Sequence, residues 1–353
     1  MIAVAPKALG LDAAASTPFD PDALMTQAMR RTGLSDFGSP EFLTPLTLLC
    51  ADLLEAEFTS IGRQLKAQEL VTALENRLRL EAFYHQFPEI DQVQIEAPVV
   101  IVGLPRSGTS ILFELLALDP VLRAPTQLEA QSPWQGLLGR LAPGERAALG
   151  ALGESITPRL TDAQRKLILA SSVIRPELKA KHETGPQIPA ECVYFTAASF
   201  CSPLLAGGAQ TPRYSEWMSQ VDRRLEYRFH RRWLKLLQWR QPGRLWLLKV
   251  PAHLRTVDIL LEVYTDAMIV HTHRDPLRVV PSLASLAGTI NDVYYQTPID
   301  GASFMVTAGE AFSAALEEVV TLRSDEAVDR RFIDVRYSEL IDKPLETFAA
   351  LHC

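Results

Sequence analysis

The stretch Pro98-Val99-Val100-Ile101-Val102-Gly103-Leu104-Pro105-Arg106-Ser107-Gly108-Thr109-Ser110 decides the fold. Its first five residues are apolar and rich in β-branched side chains, the form of a strand buried on both faces. The run ends at Gly103, and a helix is predicted from Ser107 to Leu118, stopped by Asp119-Pro120. A buried strand that passes through a short loop into a helix aims successive backbone N–H groups at one point, and that point suits an anion. Gly103 and Gly108 let the backbone curl there. Ser107, Thr109 and Ser110 add hydroxyl groups, and Arg106 adds a permanent, forked cation.

Three later runs share the strand form: Leu245–Leu248, Ala267–His271 and Phe332–Val335. Each is followed by a helical pattern, and strands alternating with helices imply a parallel α/β sheet. The expected architecture is a P-loop-type three-layer fold with a central parallel sheet. Residues 21–87 read as helices with no clear strand, and Pro40, Pro45 and Gly62 mark breaks or helix starts. The chain therefore divides into an N-terminal helical region, 1–95, and an α/β domain, 96–353, with a helical insertion at about 127–242. Within the insertion, Thr211 to Arg240 reads as helical. Leu225, Phe229, Leu236 and Leu237 share one face, and Arg228, Arg231, Arg232 and Lys235 form the solvated side.

Composition removes several function classes. Of 353 residues, 47% are hydrophobic, enough for a substantial core. The net charge of −7 argues against broad nucleic-acid binding. Cys50, Cys192, Cys201 and Cys353 form no CxxC pair and no metal-ligand spacing, so they read as thiols in a reducing compartment. The N-terminal stretch lacks a sustained apolar core, and no apolar run approaches a membrane-spanning length. A cytoplasmic protein with neither signal peptide nor membrane partner is expected. Oligomeric state leaves no mark in the sequence.

The loop departs from the NTPase frame. That frame places lysine where Thr109 stands, and a strand-end aspartate to hold magnesium. Neither is evident, so the site suits a phosphate group without triphosphate or metal. A second anion site is expected after the third long strand, in His271-Thr272-His273-Arg274-Asp275-Pro276, with Ser282 near the start of the next helix. Strand ends on one side of a parallel sheet share a crevice. Arg274 and Ser282 there can hold a second phosphate, as an adenosine substituted at both its 5′ and 3′ positions would need.

On these residues the sequence resembles the sulfotransferases that use 3′-phosphoadenosine 5′-phosphosulfate (PAPS). GLPRSGTS is similar to their 5′-phosphosulfate loop, in the arginine-bearing form of tyrosylprotein and many bacterial members. HRDPLRVVPSLASL is similar to their 3′-phosphate motif, and LWLLKVPAHL to the segment before the third strand. The resemblance covers roughly Pro98 to Pro344. It implies that Arg106, Ser107, Gly108, Thr109 and Ser110 bind the 5′-phosphosulfate, that Arg274 and Ser282 bind the 3′-phosphate, and that Tyr337 lies near the adenine. It also implies PAPS as co-substrate, with a small-molecule acceptor. Family members generally continue past Pro344 with a basic segment that closes over the nucleotide, so the resemblance implies either that the form ending at Cys353 is truncated or that its affinity for the cofactor is weakened.

Sulfuryl transfer needs cations at the leaving phosphate and a base for the acceptor proton. Arg106 and Lys249 are the leaving-group candidates. Three residues are candidate bases. Glu129, soon after the loop helix, resembles the glutamate of the corresponding family segment and ranks first. His182 ranks second, and Glu191 completes the set; each singly also reads as an ordinary cap, ion pair or exposed side chain. Trp134, Tyr194, Phe195 and Phe200 read as core or as acceptor-pocket lining. Two rivals stand beside a sulfotransferase: a non-catalytic nucleotide-binding relative, and a P-loop nucleotide kinase that would turn over ATP with magnesium.

Overall fold

The computed structural model describes residues 19–156, 185–207, 211–241 and 243–351. Five strands form one parallel sheet: β1 (Val99–Gly103), β2 (Leu122–Arg123), β3 (Leu245–Lys249), β4 (Met268–His273) and β5 (Phe332–Arg336), in the order β2-β3-β1-β4-β5. Four of these are the expected runs, shifted by a residue or two. β2 was not expected, since two residues carry no periodicity. The sheet is apolar because it is covered on both sides: Val100 and Val102 enter one core, while Ile101, Leu247 and Val270 enter another with Leu112, Phe113 and Leu116.

The N-terminal helices are α1 (Pro21–Thr32), α2 (Leu43–Glu55) and α3 (Ser60–Gln86). Asp20 caps α1 by accepting from the Ala23 N–H at 2.7 Å, Pro21 opens the helix, and Gly33 closes it in the left-handed conformation. The C-terminal half of α3 does not stand apart from the sheet. Leu80 and Phe83 share a core with Val100, Val102 and Trp246. At its other end, Thr59 bonds to the Tyr294 carbonyl and Phe58 bridges to Tyr295, at the end of the helix Pro276–Tyr294.

The stretch expected as one helix from Thr211 to Arg240 is two, Pro212–Gln220 and Arg224–Gln238, broken at Val221–Arg223. Its cations are not all solvated, which corrects the amphipathic reading. Arg232 makes two bonds to Glu81 of α3, at 2.6 and 2.8 Å, and lies over the Tyr84 ring; Lys235 bonds to Asp91. A second helical surface faces that side, and charge complementarity there mimics solvent in the sequence pattern. Among the described residues, no helix is long and apolar enough to cross a membrane.

Candidate active site

Arg106 to Ser110, Lys249, Arg274 and Tyr337 gather at the carboxyl ends of β1, β3, β4 and β5, where parallel sheets place their ligands. β1 delivers the loop Leu104–Gly108, and α4 (Thr109–Leu116) follows. The first amides of α4 have no carbonyl one turn back to bond, so they remain donors. Two glycines permit the path. Gly103 has φ +147°, and a Cβ there would lie 2.3 Å from Thr272 Oγ1 of β4. Gly108 has φ +97°, and its Cβ would meet the Tyr337 ring at 2.9 Å. The loop is pressed against β4 and the residue after β5, and any side chain would lift it away.

Ser107 is turned inward. It is fully buried, its hydroxyl donates to the Leu104 carbonyl at 2.6 Å, and it shares a hydrogen bond with Thr272 Oγ1 at the same distance. It braces the loop rather than presenting a hydroxyl to the crevice. Thr272 Oγ1 in turn reaches the Val102 carbonyl at 3.3 Å. Thr272 went unread in the sequence, because its role follows from pairing opposite Gly103 across the sheet.

The two expected anion loops are joined directly. Arg106 occupies the left-handed region at φ +68°, a conformation that disfavours a non-glycine residue by ~1–2 kcal/mol. Its carbonyl is held by Arg274 Nη1 at 2.7 Å, and its own Nε donates to Ser282 Oγ at 3.2 Å. The Arg274 guanidinium lies 4.0 Å from the centre of the Tyr337 ring. Arg106, Arg274, Ser282 and Tyr337, separated by up to 231 positions of sequence numbering, thus form one constellation beside the start of α4.

Lys249 ends β3 with its side chain almost wholly buried, stretched past the Phe113 ring. Its ammonium donates to Ser110 Oγ at 3.1 Å and to Glu191 Oε1 at 2.5 Å. The backbone sets Glu191 there. Residues 186–190 run antiparallel to 125–128, with Gln127 N–H to Ile188 O at 2.9 Å and Ala190 N–H to Pro125 O at 2.7 Å; then Cys192 N–H bonds to the Lys249 carbonyl at 2.9 Å. The carboxylate keeps one-fifth of its surface exposed, so it is both paired and reachable.

Glu129 is engaged elsewhere. It completes a capping box with Thr126 at the start of α5 (Gln127–Gln131), one oxygen accepting the Thr126 N–H at 3.0 Å. The other oxygen accepts from Arg123 at 2.7 Å. His182 lies outside the described residues. Trp134, Phe195 and Phe200 are core, and Tyr194 is half-buried.

The loop after β1 thus stands beside a lysine–carboxylate couple, and the chain that carries them has relatives among known proteins. Residues 98–352 match the model of the sulfotransferase family. The chain belongs to the sulfotransferase family. Relatives within it include the omega-hydroxy-beta-dihydromenaquinone-9 sulfotransferase Stf3 of Mycobacterium bovis and of Mycobacterium tuberculosis, each 27% identical over 267 residues, or 72% of this chain. The chain spans 61% of the length of these curated relatives. Among solved structures, sulfotransferase STF9 from Mycobacterium avium superposes with a TM-score of 0.79 at 26% identity, covering 94% of this chain and 82% of that one. STF1 from Mycobacterium tuberculosis gives 0.74 at 27% identity, covering 94% and 87%. The P-loop-type sulfotransferase fold is therefore shared along nearly the whole chain.

Proposed function

We propose that this chain transfers a sulfuryl group from PAPS to the hydroxyl of a small-molecule acceptor, with Glu191 as the base and Lys249 as the cation at the leaving group. The observation that carries this reading is the bridge made by Lys249, whose ammonium touches both Ser110 on the loop helix and the Glu191 carboxylate. One cation thus spans the place where the donor's 5′ end would lie and the only candidate base that touches this group among the described residues.

The side chains and amides of the crevice support a nucleotide with phosphates at its 5′ and 3′ positions. The first turn of α4, Gly108 and Arg106 offer amides and a guanidinium for the 5′ end, while Arg274 and Ser282, bonded to the Arg106 carbonyl and to its Nε, would hold a 3′-phosphate. Tyr337, stacked under Arg274, is the aromatic side chain that would lie near the adenine. Bound PAPS would supply a sulfuryl group on a phosphate leaving group. The acceptor oxygen forms its bond to sulfur as the bond from sulfur to the phosphate oxygen breaks. Glu191 takes the acceptor proton, and adenosine 3′,5′-bisphosphate departs with its new negative charge facing Lys249 and Arg106. Positioning and fixed charge supply most of the catalysis in such a transfer.

A hydroxyl acceptor also agrees with the name of the Stf3 relatives, which places sulfotransfer on an omega-hydroxylated dihydromenaquinone; an amine acceptor would make the same demand of the base. The buried free thiols Cys50, Cys192 and Cys201 fit a reducing, cytoplasmic setting. The test is transfer of labelled sulfuryl from PAPS to a panel of phenols, alcohols, sugars and lipid quinols, run beside calorimetry with adenosine 3′,5′-bisphosphate. Label transfer with tight bisphosphate binding is expected. A folded protein that binds no bisphosphate would overturn the reading, and binding without transfer to any acceptor would favour a non-catalytic relative.

A further inference from the structure

A separate group of ligating side chains lies behind this crevice. Cys192, His230 and His253 each offer one donor atom, and the three atoms lie within 4.8 Å of one another. All three residues are buried, at 0, 1 and 2% exposure. They come from three elements. Cys192 precedes the short helix Val193–Thr196, His230 sits in Arg224–Gln238, and His253 sits in the 3-10 turn Pro251–Thr256 after β3.

The ring nitrogens show what the group is suited for. Nδ1 of His253 is 2.7 Å from the Tyr227 hydroxyl, which is also 2.8 Å from Thr256 Oγ1. Nδ1 of His230 is 2.6 Å from the Tyr264 hydroxyl. The Nε2 atoms of both histidines are buried without a hydrogen-bond partner among the described residues. The Tyr227 hydroxyl can give its proton to Thr256 and accept one from Nδ1, and that tautomer leaves a lone pair on His253 Nε2. An imidazole with one nitrogen oriented by a polar neighbour and the other bare is the arrangement of a metal ligand. Burial disfavours the charged form of both rings. Burial also pushes the Cys192 thiol up, and a cation at its sulfur would reverse that. The nearest charged groups that act on the cluster are Glu226, Arg223, Glu191 and Lys249. They form two ion pairs with no net charge.

We propose that Cys192, His230 and His253 form a thiolate–bis-imidazole site for a d10 cation, Zn2+ or Cu+. A closed d shell imposes no geometry of its own, so three ligands in an enclosed site are acceptable. A trigonal ion ~2.0–2.3 Å from each donor would space the donors by roughly 3.5–4 Å, a short side-chain adjustment from the present arrangement. The ion has no part in sulfuryl transfer. It would rivet the Arg224–Gln238 helix and the turn after β3 to the segment that carries Glu191, since Cys192 follows Glu191 directly and bonds to the Lys249 carbonyl. The other three-residue group, His271, His273 and Asp334, carries no such inference because Arg323 already fills it with two bonds to Asp334 at 2.7 Å.

Because the site is enclosed, the ion would load as the chain folds. The full chain, free of any histidine tag, is unfolded and refolded with Zn2+, with Cu+ under reducing anaerobic conditions, or with chelator. Metal content is then measured by plasma mass spectrometry and stability by thermal melting. About one equivalent of one of the two ions is expected to survive dialysis and raise the melting temperature. Refolding with Co2+ should give a thiolate charge-transfer band that is lost in Cys192→Ser. His230→Gln and Cys192→Ser should weaken affinity by about 100-fold or more, and Tyr264→Phe by about 10-fold to 100-fold, with unchanged near-ultraviolet circular dichroism. If the ligand variants do not fold, the wild type and Tyr264→Phe alone decide. Refolded wild type that binds neither ion stoichiometrically and melts at the same temperature with and without chelator overturns the proposal. Equal uptake by wild type and by folded Cys192→Ser or His230→Gln overturns it as well.

Discussion

Replacing Glu191 with glutamine separates its observed role, partner of Lys249, from its proposed one as base. The change keeps shape and leaves an oxygen to accept from the Lys249 ammonium, but it removes the charge. Lys249 is 2% exposed, so its ammonium would be left nearly dry without a counter-charge. Two unit charges ~3–4 Å apart at an effective dielectric near 20 attract by roughly 4–6 kcal/mol before desolvation is counted. Breaking a fully buried pair typically costs about 3–5 kcal/mol. Here the carboxylate is one-fifth exposed and the amide keeps the hydrogen bond, so a loss of about 1–3 kcal/mol is expected. The protein should still fold. Turnover is another matter, because an amide cannot accept the acceptor proton, and kcat should fall about 100-fold to 10,000-fold. Affinity for adenosine 3′,5′-bisphosphate should hold or rise, because Lys249 loses its counter-charge while the groups proposed to hold the ligand are kept. The control is Glu129→Gln. Glutamine still serves the capping box, only the pair with Arg123 is weakened, and stability should drop by roughly 1 kcal/mol with turnover nearly unchanged. Steady-state transfer assays with calorimetry and melting on both variants decide. If Glu191→Gln turns over normally while Glu129→Gln does not, the assignment of the base is wrong.

Three further outcomes follow from the same geometry. Arg274→Ala should weaken adenosine 3′,5′-bisphosphate far more than adenosine 5′-phosphate, measured by calorimetry; equal losses would mean that Arg274 only clamps the Arg106 carbonyl. Gly103→Ala must place a Cβ 2.3 Å from Thr272 Oγ1 at a φ of +147°, so it should cost about 2 kcal/mol or more in chemical denaturation and weaken bisphosphate binding, whereas Gly288→Ala, with open space around it, should do neither. His271 is lowered to about 3, chiefly by burial and then by His273. Its folded value lies below its unfolded one, so its contribution to stability is present above pH ~6.5 and is lost as pH falls from there toward 3, with a slope of up to ~1.4 kcal/mol per pH unit. Denaturation at stepped pH should show that slope reduced in His271→Gln.

The sheet and the loop were legible because their causes are local. A β-branched run buried on both faces, a glycine at its end and an amphipathic helix after it can be read residue by residue, as Val99 to Ser110 shows. The split at Val221–Arg223 and the pairing of Arg232 with Glu81 were not legible, because a cation facing a buried carboxylate across two helices has the same period as one facing water. Ser107 misled for a related reason. Its place in the loop suggested a donor to the ligand, and only the register of β1 with β4 shows Thr272 waiting behind it.

The ranking of the bases turns on the same distinction. Glu129 ranks first in the sequence because it resembles the glutamate of the corresponding family segment, yet Thr126-Gln127-Leu128-Glu129 is also a complete capping box, a pattern with a local and sufficient cause. A carboxylate whose position is fully explained by its own helix start has less need of a catalytic explanation. Glu191 has no such local cause. It is set by a ladder to residues 125–128, by the Cys192 bond to β3 and by an ion pair with a lysine on that strand, all of them contacts distant in sequence. Evolution of a structural cap requires none of that apparatus, and holding a carboxylate against a buried ammonium exposes the fold to the cost of an unpaired charge. In the proposed reaction that cost is accepted because a proton must be moved beside a leaving phosphate, and the turnover of Glu191→Gln against Glu129→Gln decides between the two carboxylates.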